Sequence, residues 1–205
     1  MPYLIPLVPN CSEPAAVQAL RNACIDFTKG SMCLQGQLDP MSVAKDVAEY
    51  DIDVPKNTRL TQMISLYYLG SLLPRKSLSY IVGATGRDWA ALRGPPTMYT
   101  QFAPDTVTLI RCPGESIANA LTGTYAYVPT RSSTTCDEVM LERYAEAIAR
   151  GAASKLMQIP NEPFSNLQMA MMYHRQFTAD IANELGAINQ GQNRASISVH
   201  FRRYY

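Results

Sequence analysis

The first clear pattern of hydrophobic positions is helical and lies within residues 12–30. Apolar side chains recur at helical spacing at Val17, Leu20, Cys24 and Phe27. This spacing predicts one apolar stripe, and a neighbouring face of small side chains at Ala16, Ala19 and Ala23 would let another helix approach closely. Ser12 is a good N-cap, Pro14 loses no needed N–H in a first turn, and Lys29-Gly30 marks the predicted end of the helix.

From residue 31 to residue 128 the pattern is mainly that of strands. Residues 49–54 alternate polar and apolar side chains, as a half-buried strand does. The predicted extended segments are 31–40, 43–54, 59–69, 97–102, 107–112 and 121–128, with 72–76 as a hairpin partner. Residues 77–93 look irregular, with short helical turns near 78–82 and 88–92. The middle of the chain is therefore predicted to be β-rich and mainly antiparallel.

Helical spacing returns after residue 134. Thr135 with Glu138, and Ser165 with Gln168, have the spacing of capping boxes. They predict one helix over about 136–157 and a second helix to about Ile188. The second helix carries a 4-3 spacing, which we name the 167–188 stripe: Leu167, Met171, His174, Thr178, Ile181, Leu185 and Ile188. We expect this stripe to be a seam, with Leu167, Ile181 and Leu185 buried against the first helix.

The last twenty residues change character again. Residues 186–194 are rich in Gly, Asn and Gln, as flexible linkers are, and residues 195–201 alternate strictly. A short lone strand is not stable in water, so we expect this tail to order on a partner by adding to a sheet edge. The predicted docking residues are Ile197, Val199, Phe201, Arg202, Arg203, Tyr204 and Tyr205. A frayed, solvated tail is the alternative.

These elements predict an α+β fold. An N-terminal helix and a C-terminal antiparallel helical hairpin would form a bundle, beside a central, mainly antiparallel β module. The predicted segments are 1–34 for the N-terminal helix of the helical body, 35–130 for the β-rich module, 131–189 for the hairpin, and 190–205 for a flexible docking tail.

The charge balance limits the classes of function. Lys and Arg total 18, Asp and Glu total 17, and the net charge is +1. A dedicated nucleic-acid binder would normally carry a basic excess, so this class is disfavoured, although DNA could still pass the protein briefly. The charged fraction is only 17%. We expect a surface with few charges to be covered by a partner, and a subunit interface is the simplest candidate.

No chemistry-bearing motif is complete. The five cysteines have no CxxC spacing and there are only two histidines, so neighbouring residues assemble no zinc or redox motif. We expect reduced, mostly buried thiols and no disulfide. The glycine segment at 83–88 lacks the Gly-Lys-Ser/Thr ending of a P-loop, and no Gly-x-Ser-x-Gly elbow occurs. We therefore expect no catalytic residue, no metal site and no cofactor.

Membrane and export signals are also missing from the sequence. No run of 18 apolar residues occurs, and the N-terminus lacks the basic and apolar regions of a signal peptide. A transmembrane helix is therefore not expected.

Three blocks of sequence carry a family resemblance. The first, residues 7–40, runs from a proline-punctuated entry through a capped helix to an extended segment. The second reads Asp-Trp at 88–89, GPPTMY at 94–99 and DTVTLIRCP at 105–113, and the third joins 146–157 to PFSN at 163–166. In these blocks the chain resembles phage head-to-tail adaptor (connector) proteins, and it is similar to the tail tubular protein A, or gatekeeper, proteins of short-tailed phages. Residues 77–87 match poorly, and the last fifteen vary within the family.

The resemblance implies a structural virion protein without catalysis. It implies a homo-oligomeric ring, expected to be a dodecamer, which binds the portal protein on one side. On the other side it would meet tail tube, nozzle or tail fibre proteins, and double-stranded DNA would pass through it transiently. The protein would assemble in the bacterial cytoplasm and end in the neck of the virion. The portal would be the first candidate partner of the C-terminal tail and a neighbouring subunit the second.

Two other functions remain as alternatives. Within the structural class, the chain could be a tail-completion or stopper protein of a long-tailed phage. From another class, it could be a small cytoplasmic enzyme or nucleotide-binding module.

Four carboxylates lie at the start of the first C-terminal helix: Asp137, Glu138, Glu142 and Glu146. A solvated helix face with favourable placement near the positive end of the dipole explains them. The functional alternative is the wall of a ring lumen, where carboxylates would repel phosphates and let DNA slide.

Overall fold

The computed structural model describes residues 2–103, 105–133 and 138–190. It has an α+β fold, with five α-helices and seven strands in the described part of the chain. The chain divides into two units, one from the described residues of 1–33 and 134–205 and one from those of 34–133. The first unit is helical and the second contains all the described strands.

The helical unit begins with α1, which spans Glu13–Ser31. Ser12 is at the N-cap in extended conformation, as the sequence predicts, but its hydroxyl makes no capping hydrogen bond. The helix runs one residue past the predicted Lys29-Gly30 stop to Ser31, and Met32 caps its C-terminus with a left-handed φ of 56°. The hydroxyl of Ser31 donates to the Phe27 carbonyl oxygen at 2.8 Å, which keeps a polar side chain satisfied inside the last turn.

The prediction of one helix over 136–157 is wrong. Two helices occupy the described part of this range, α3 at Glu138–Arg143 and α4 at Ala145–Leu156. They are separated at Tyr144, which has φ −123° and ψ 8° and lies outside the helical region. Thr135, Cys136 and Asp137 lie outside the described residues, and the first predicted capping box lies there with them.

The last helix, α5, spans Leu167–Asn189. Its N-cap is Asn166, one residue after the predicted Ser165, because the Asn166 side-chain oxygen accepts the N–H of Met169 at 3.0 Å. Residues 186–189, which the sequence assigned to a linker, are helical. The paired contacts between α4 and α5 run in opposite directions along the chain, Arg150 with Asp180 and Gly151 with Phe177. The two helices are therefore antiparallel neighbours.

Small side chains let the helices of this unit approach closely. Both α1 and α4 bury alanines, and those of α1 are the predicted small face: Ala16, Ala19 and Ala23 on α1, with Ala149, Ala152 and Ala153 on α4. A Cβ added at Gly151 of α4 would lie 2.6 Å from the ring of Phe177. The aromatic ring of α5 therefore needs a glycine in α4 to pack at this depth.

The β unit contains two antiparallel sheets. The larger has the order β1-β7-β3-β4, and its strands are β1 Gln35–Val43, β3 Thr58–Tyr68, β4 Ser71–Leu72 and β7 Ile117–Pro129. The smaller has the order β2-β6-β5, with β2 Glu49–Asp51, β5 Met98–Thr100 and β6 Thr106–Ile110. Both sheets contribute side chains to one buried cluster that includes Leu60, Leu66, Val107, Leu109 and Leu121.

Most predicted strands are present, with changed lengths. The hairpin partner expected at 72–76 is reduced to the two-residue β4, and the strand expected at 121–128 begins four residues earlier. The irregular segment contains α2 at Leu78–Thr85 and a 3-10 turn at Trp89–Ala91, close to the two predicted helical turns. Ser77 caps α2 through its hydroxyl, which accepts the N–H of Tyr80.

Candidate functional site

The predicted carboxylates of the helical unit are at its surface as far as they are described. Glu138 and Glu142 belong to α3 and Glu146 to the first turn of α4, and all three are exposed. Asp137 lies outside the described residues. The Glu146 carboxylate is 3.9 Å from the Arg150 guanidinium one turn later, a contact too long and too exposed to contribute much stability. Both a solvated face and a lumen wall remain compatible with these positions.

A cleft of about 510 Å³ lies beside these carboxylates, within the helical unit. Its charged lining combines four carboxylates with two guanidinium groups: Glu142, Glu146, Asp180 and Glu184 with Arg143 and Arg150. Arg150 and Asp180 form a half-buried ion pair, with Nη2 and Oδ2 2.7 Å apart. This ion pair joins α4 to α5 across the cleft, and because both signs of charge line the cleft it presents no single-sign surface to a ligand.

Tyr144 forms the second polar link to α5 and lies at the break between α3 and α4. Its hydroxyl donates to the Glu184 carboxylate at 2.6 Å, and its ring lies 4.9 Å from that of Phe27. Burial raises the pKa of Tyr144, and the hydrogen bond to Glu184 and the charge of that carboxylate raise it further. The phenol therefore stays protonated as a donor at physiological pH. The backbone leaves helical geometry at this residue, the one whose side chain makes these contacts.

These two links turn both acidic side chains of α5 inward. The helix contains only three residues of the Asp, Glu, Lys and Arg set: Arg175, Asp180 and Glu184. Asp180 is bound to Arg150 and Glu184 to Tyr144. The charge left on the solvent side of α5 is consequently that of Arg175, with His174 as a further polar group.

The prediction that the 167–188 stripe is a buried seam is wrong in its first half. Leu167 is 65% exposed and Met171 is 57% exposed, and His174 and Thr178 are also exposed. Ile181, Leu185 and Ile188 are only half-buried, and Ile181 lies against Gly30 of α1. The side chains that face α1 and α4 instead recur one position earlier along the helix: Ala170, Tyr173, Phe177, Asp180 and Glu184.

Because the inward-facing side chains of α5 lie one position before the predicted stripe, the helix leaves an exposed surface that sequence reasoning missed. We name it the outer α5 face and define it by exposed residues of α5: Leu167, Met171, Met172, Arg175, Ala179 and Ala182. Leu167, Met171 and Met172 are neighbours on this surface, and contiguous exposed apolar side chains mark interaction sites. The sequence signal was the 4-3 stripe itself, which marks a contact surface but does not say whether the contact is within one chain.

The predicted docking residues of the C-terminal tail fall beyond the described part of the chain. Ile197, Val199, Phe201, Arg202, Arg203, Tyr204 and Tyr205 all lie outside the described residues, which end at Gln190. Their role stays a prediction.

Metal-binding clusters and membrane-spanning helices are both absent from the described residues. No group of three or more His, Cys, Asp and Glu side chains there is arranged to hold a metal ion. No helix in that part of the chain is both long and apolar enough to cross a lipid bilayer.

Comparison with known proteins adds no relative: no protein-family model matches the chain, and no curated protein matches it either.

Proposed function

We propose that this protein is a structural subunit of a ring that joins a phage portal to the tail. The ring would leave a central conduit for DNA, and the protein would belong to the neck of the virion and catalyse no reaction. The observation that carries the proposal is the outer α5 face, where Leu167 and Met171 are exposed on a 23-residue helix with few charges. Such a surface suits a protein whose helices are covered by other subunits once it is assembled.

The order of the elements supports the same proposal. One helix, a β-rich stretch and then α3, α4 and α5 follow one another, which is similar to the helix–β–helix–helix order of the adaptor proteins that the sequence blocks resemble, with α3 and α4 in the place of the first C-terminal helix. The helical unit is held rigidly by Phe177, by the Arg150–Asp180 ion pair and by the Tyr144–Glu184 hydrogen bond. A rigid body with an uncovered apolar face is what a ring subunit needs for its side contacts.

The net charge fits a conduit better than a binding site for DNA. A value of +1 over 205 residues gives no general attraction for phosphates. The exposed carboxylates of α3 and α4 would repel them where they face a lumen. DNA would then pass through the ring without being held.

We expect the tail to dock the ring on the portal. Deletion of residues 194–205 should give a protein with unchanged far-UV circular dichroism that no longer joins portal-bearing heads to tails in an in-vitro complementation assay. The reason is that the tail's alternating apolar face is expected to fill pockets beside a sheet edge of the portal.

Two matched triple variants separate the two faces of the tail. Replacing Ile197, Val199 and Phe201 by serine should abolish joining, whereas replacing Ser196, Ser198 and His200 by alanine should leave it intact. Normal joining by the deletion variant would show that the tail has no docking role.

A further inference from the structure

We propose that the outer α5 face of one copy packs against the exposed face of α3 in the next copy. This inference rests on the proposed ring and deepens it, because it names the two surfaces that form the repeated contact. The α3 face is defined by Glu138, Leu141 and Glu142, which are exposed on one side of the helix.

The α5 side of the contact has three large apolar side chains and one positive charge. Leu167, Met171 and Met172 are exposed, and Arg175 lies among them on the same side of the helix. The two carboxylates that could have balanced Arg175 are bound to Arg150 and Tyr144 on the inner side. The exposed face is therefore able to accept an acidic partner.

The α3 side has the complementary composition. Met140 is fully buried and anchors the helix, while the next residue, Leu141, is 63% exposed. Glu138 lies three residues before Leu141 and four before Glu142, so the three exposed side chains share one side of α3. A large exposed leucine between two carboxylates matches a surface of leucine and methionine side chains around one arginine.

The charges also favour contact between an α5 face and an α3 face over contact between two identical faces. Two α5 faces placed together would bring Arg175 against its own copy, and two α3 faces would bring four carboxylates together. Like charges in an interface are unfavourable, so each surface disfavours a symmetric pair and favours the other surface. Contact between two different patches is heterologous, and such contacts form a ring when the rotation between neighbours closes.

Cysteine cross-linking tests this pairing directly. In a background with Cys11, Cys33 and Cys136 replaced by alanine, Leu141→Cys and Met171→Cys are introduced singly and together. The full-length proteins are assembled on portal rings and treated with a short bismaleimide. We expect the double variant to give a ladder of covalent oligomers, an equimolar mixture of the single variants to give dimers, and each single variant alone to give none. Met171→Cys combined with Val17→Cys is the matched control, because Val17 is an exposed residue of α1 outside the proposed contact.

The outcomes separate the interface from the function. Rings on the portal without the Leu141–Met171 ladder would overturn the interface and leave the ring standing. Cross-linking of Met171→Cys with itself would also overturn it, because a two-fold contact would be indicated. Absence of any ring with the unsubstituted protein would instead contradict the proposed function. As a second readout, Arg175→Glu should abolish assembly, and Glu138→Lys with Glu142→Lys in the same chain should restore it.

Discussion

Replacing Phe177 by alanine is expected to lower the free energy of unfolding by about 3–5 kcal/mol. The Phe177 side chain is 4% exposed, lies directly on Gly151 of α4 and has its ring 6.1 Å from that of Phe27. Its removal would leave a cavity where α1, α4 and α5 meet, and a backbone without side chains at Gly151 cannot fill it. Urea unfolding followed by circular dichroism at 222 nm measures the change.

Met171→Ala is the control on the same helix. Met171 is 57% exposed, so its truncation should change the free energy of unfolding by less than about 0.5 kcal/mol. A larger loss for Met171→Ala than for Phe177→Ala would mean that the 167–188 stripe is the internal seam, and that α5 is rotated so that Met171, and not Phe177, faces α4.

Gly123→Ala is expected to destabilise the β unit by about 2–3 kcal/mol. Gly123 lies in β7 between its partners Leu38 of β1 and Leu66 of β3. An added Cβ would collide with the carbonyl oxygen of Ser65, a backbone atom that cannot rotate away, and would lie 3.3 Å from the Leu66 Cα. The fluorescence of Trp89, the only tryptophan of the chain, offers a probe within this unit.

Gly83→Ala, in the same unit, is expected to raise stability rather than lower it. Gly83 is in α2, and nothing lies within 4 Å of an added Cβ. Alanine should therefore raise helix stability by up to about 1 kcal/mol. Equal stability of Gly123→Ala and the unsubstituted protein would show that β7 does not pair with β3 in the register that places Gly123 opposite Leu66.

Local sequence patterns were sufficient to predict most of the helices and strands. The alternation over 49–54 predicted a strand, and its first three residues form β2, with Tyr50 and the following Ile52 buried while Glu49, Asp51 and Asp53 are exposed. Ser12 and Pro14 marked the start of α1 correctly, and the alanines of that helix did form a packed face. These features depend on residues close together in the sequence, so one sequence is enough to find them.

The orientation of α5 depends on partners that the sequence does not reveal. Asp180 and Glu184 are not part of the predicted stripe, yet they point inward because Asp180 pairs with Arg150 and Glu184 accepts the hydroxyl of Tyr144. The 4-3 spacing placed Leu167 and Met171 in the predicted seam, but both side chains are exposed. Helical periodicity identifies a stripe, but the choice between two adjacent stripes is made by tertiary contacts.

The break at Tyr144 was missed for a similar reason. Nothing in residues 136–157 other than Gly151 is a poor helix former, and no proline occurs there. The interruption coincides with contacts of Tyr144 to Glu184 and to Phe27, which are 40 and 117 residues away in the sequence. Of the candidate site, the sequence therefore indicated the acidic start of the hairpin and a contact stripe on α5, but not the cleft or the direction in which the stripe faces.

Electron microscopy of portal rings mixed with this protein tests the central proposal most directly. The account predicts a second ring of density stacked coaxially on the portal, with an open central channel, that appears only when the full-length protein is added. Portal particles that remain unchanged in the presence of excess protein, with the protein recovered separately as single copies, would contradict it.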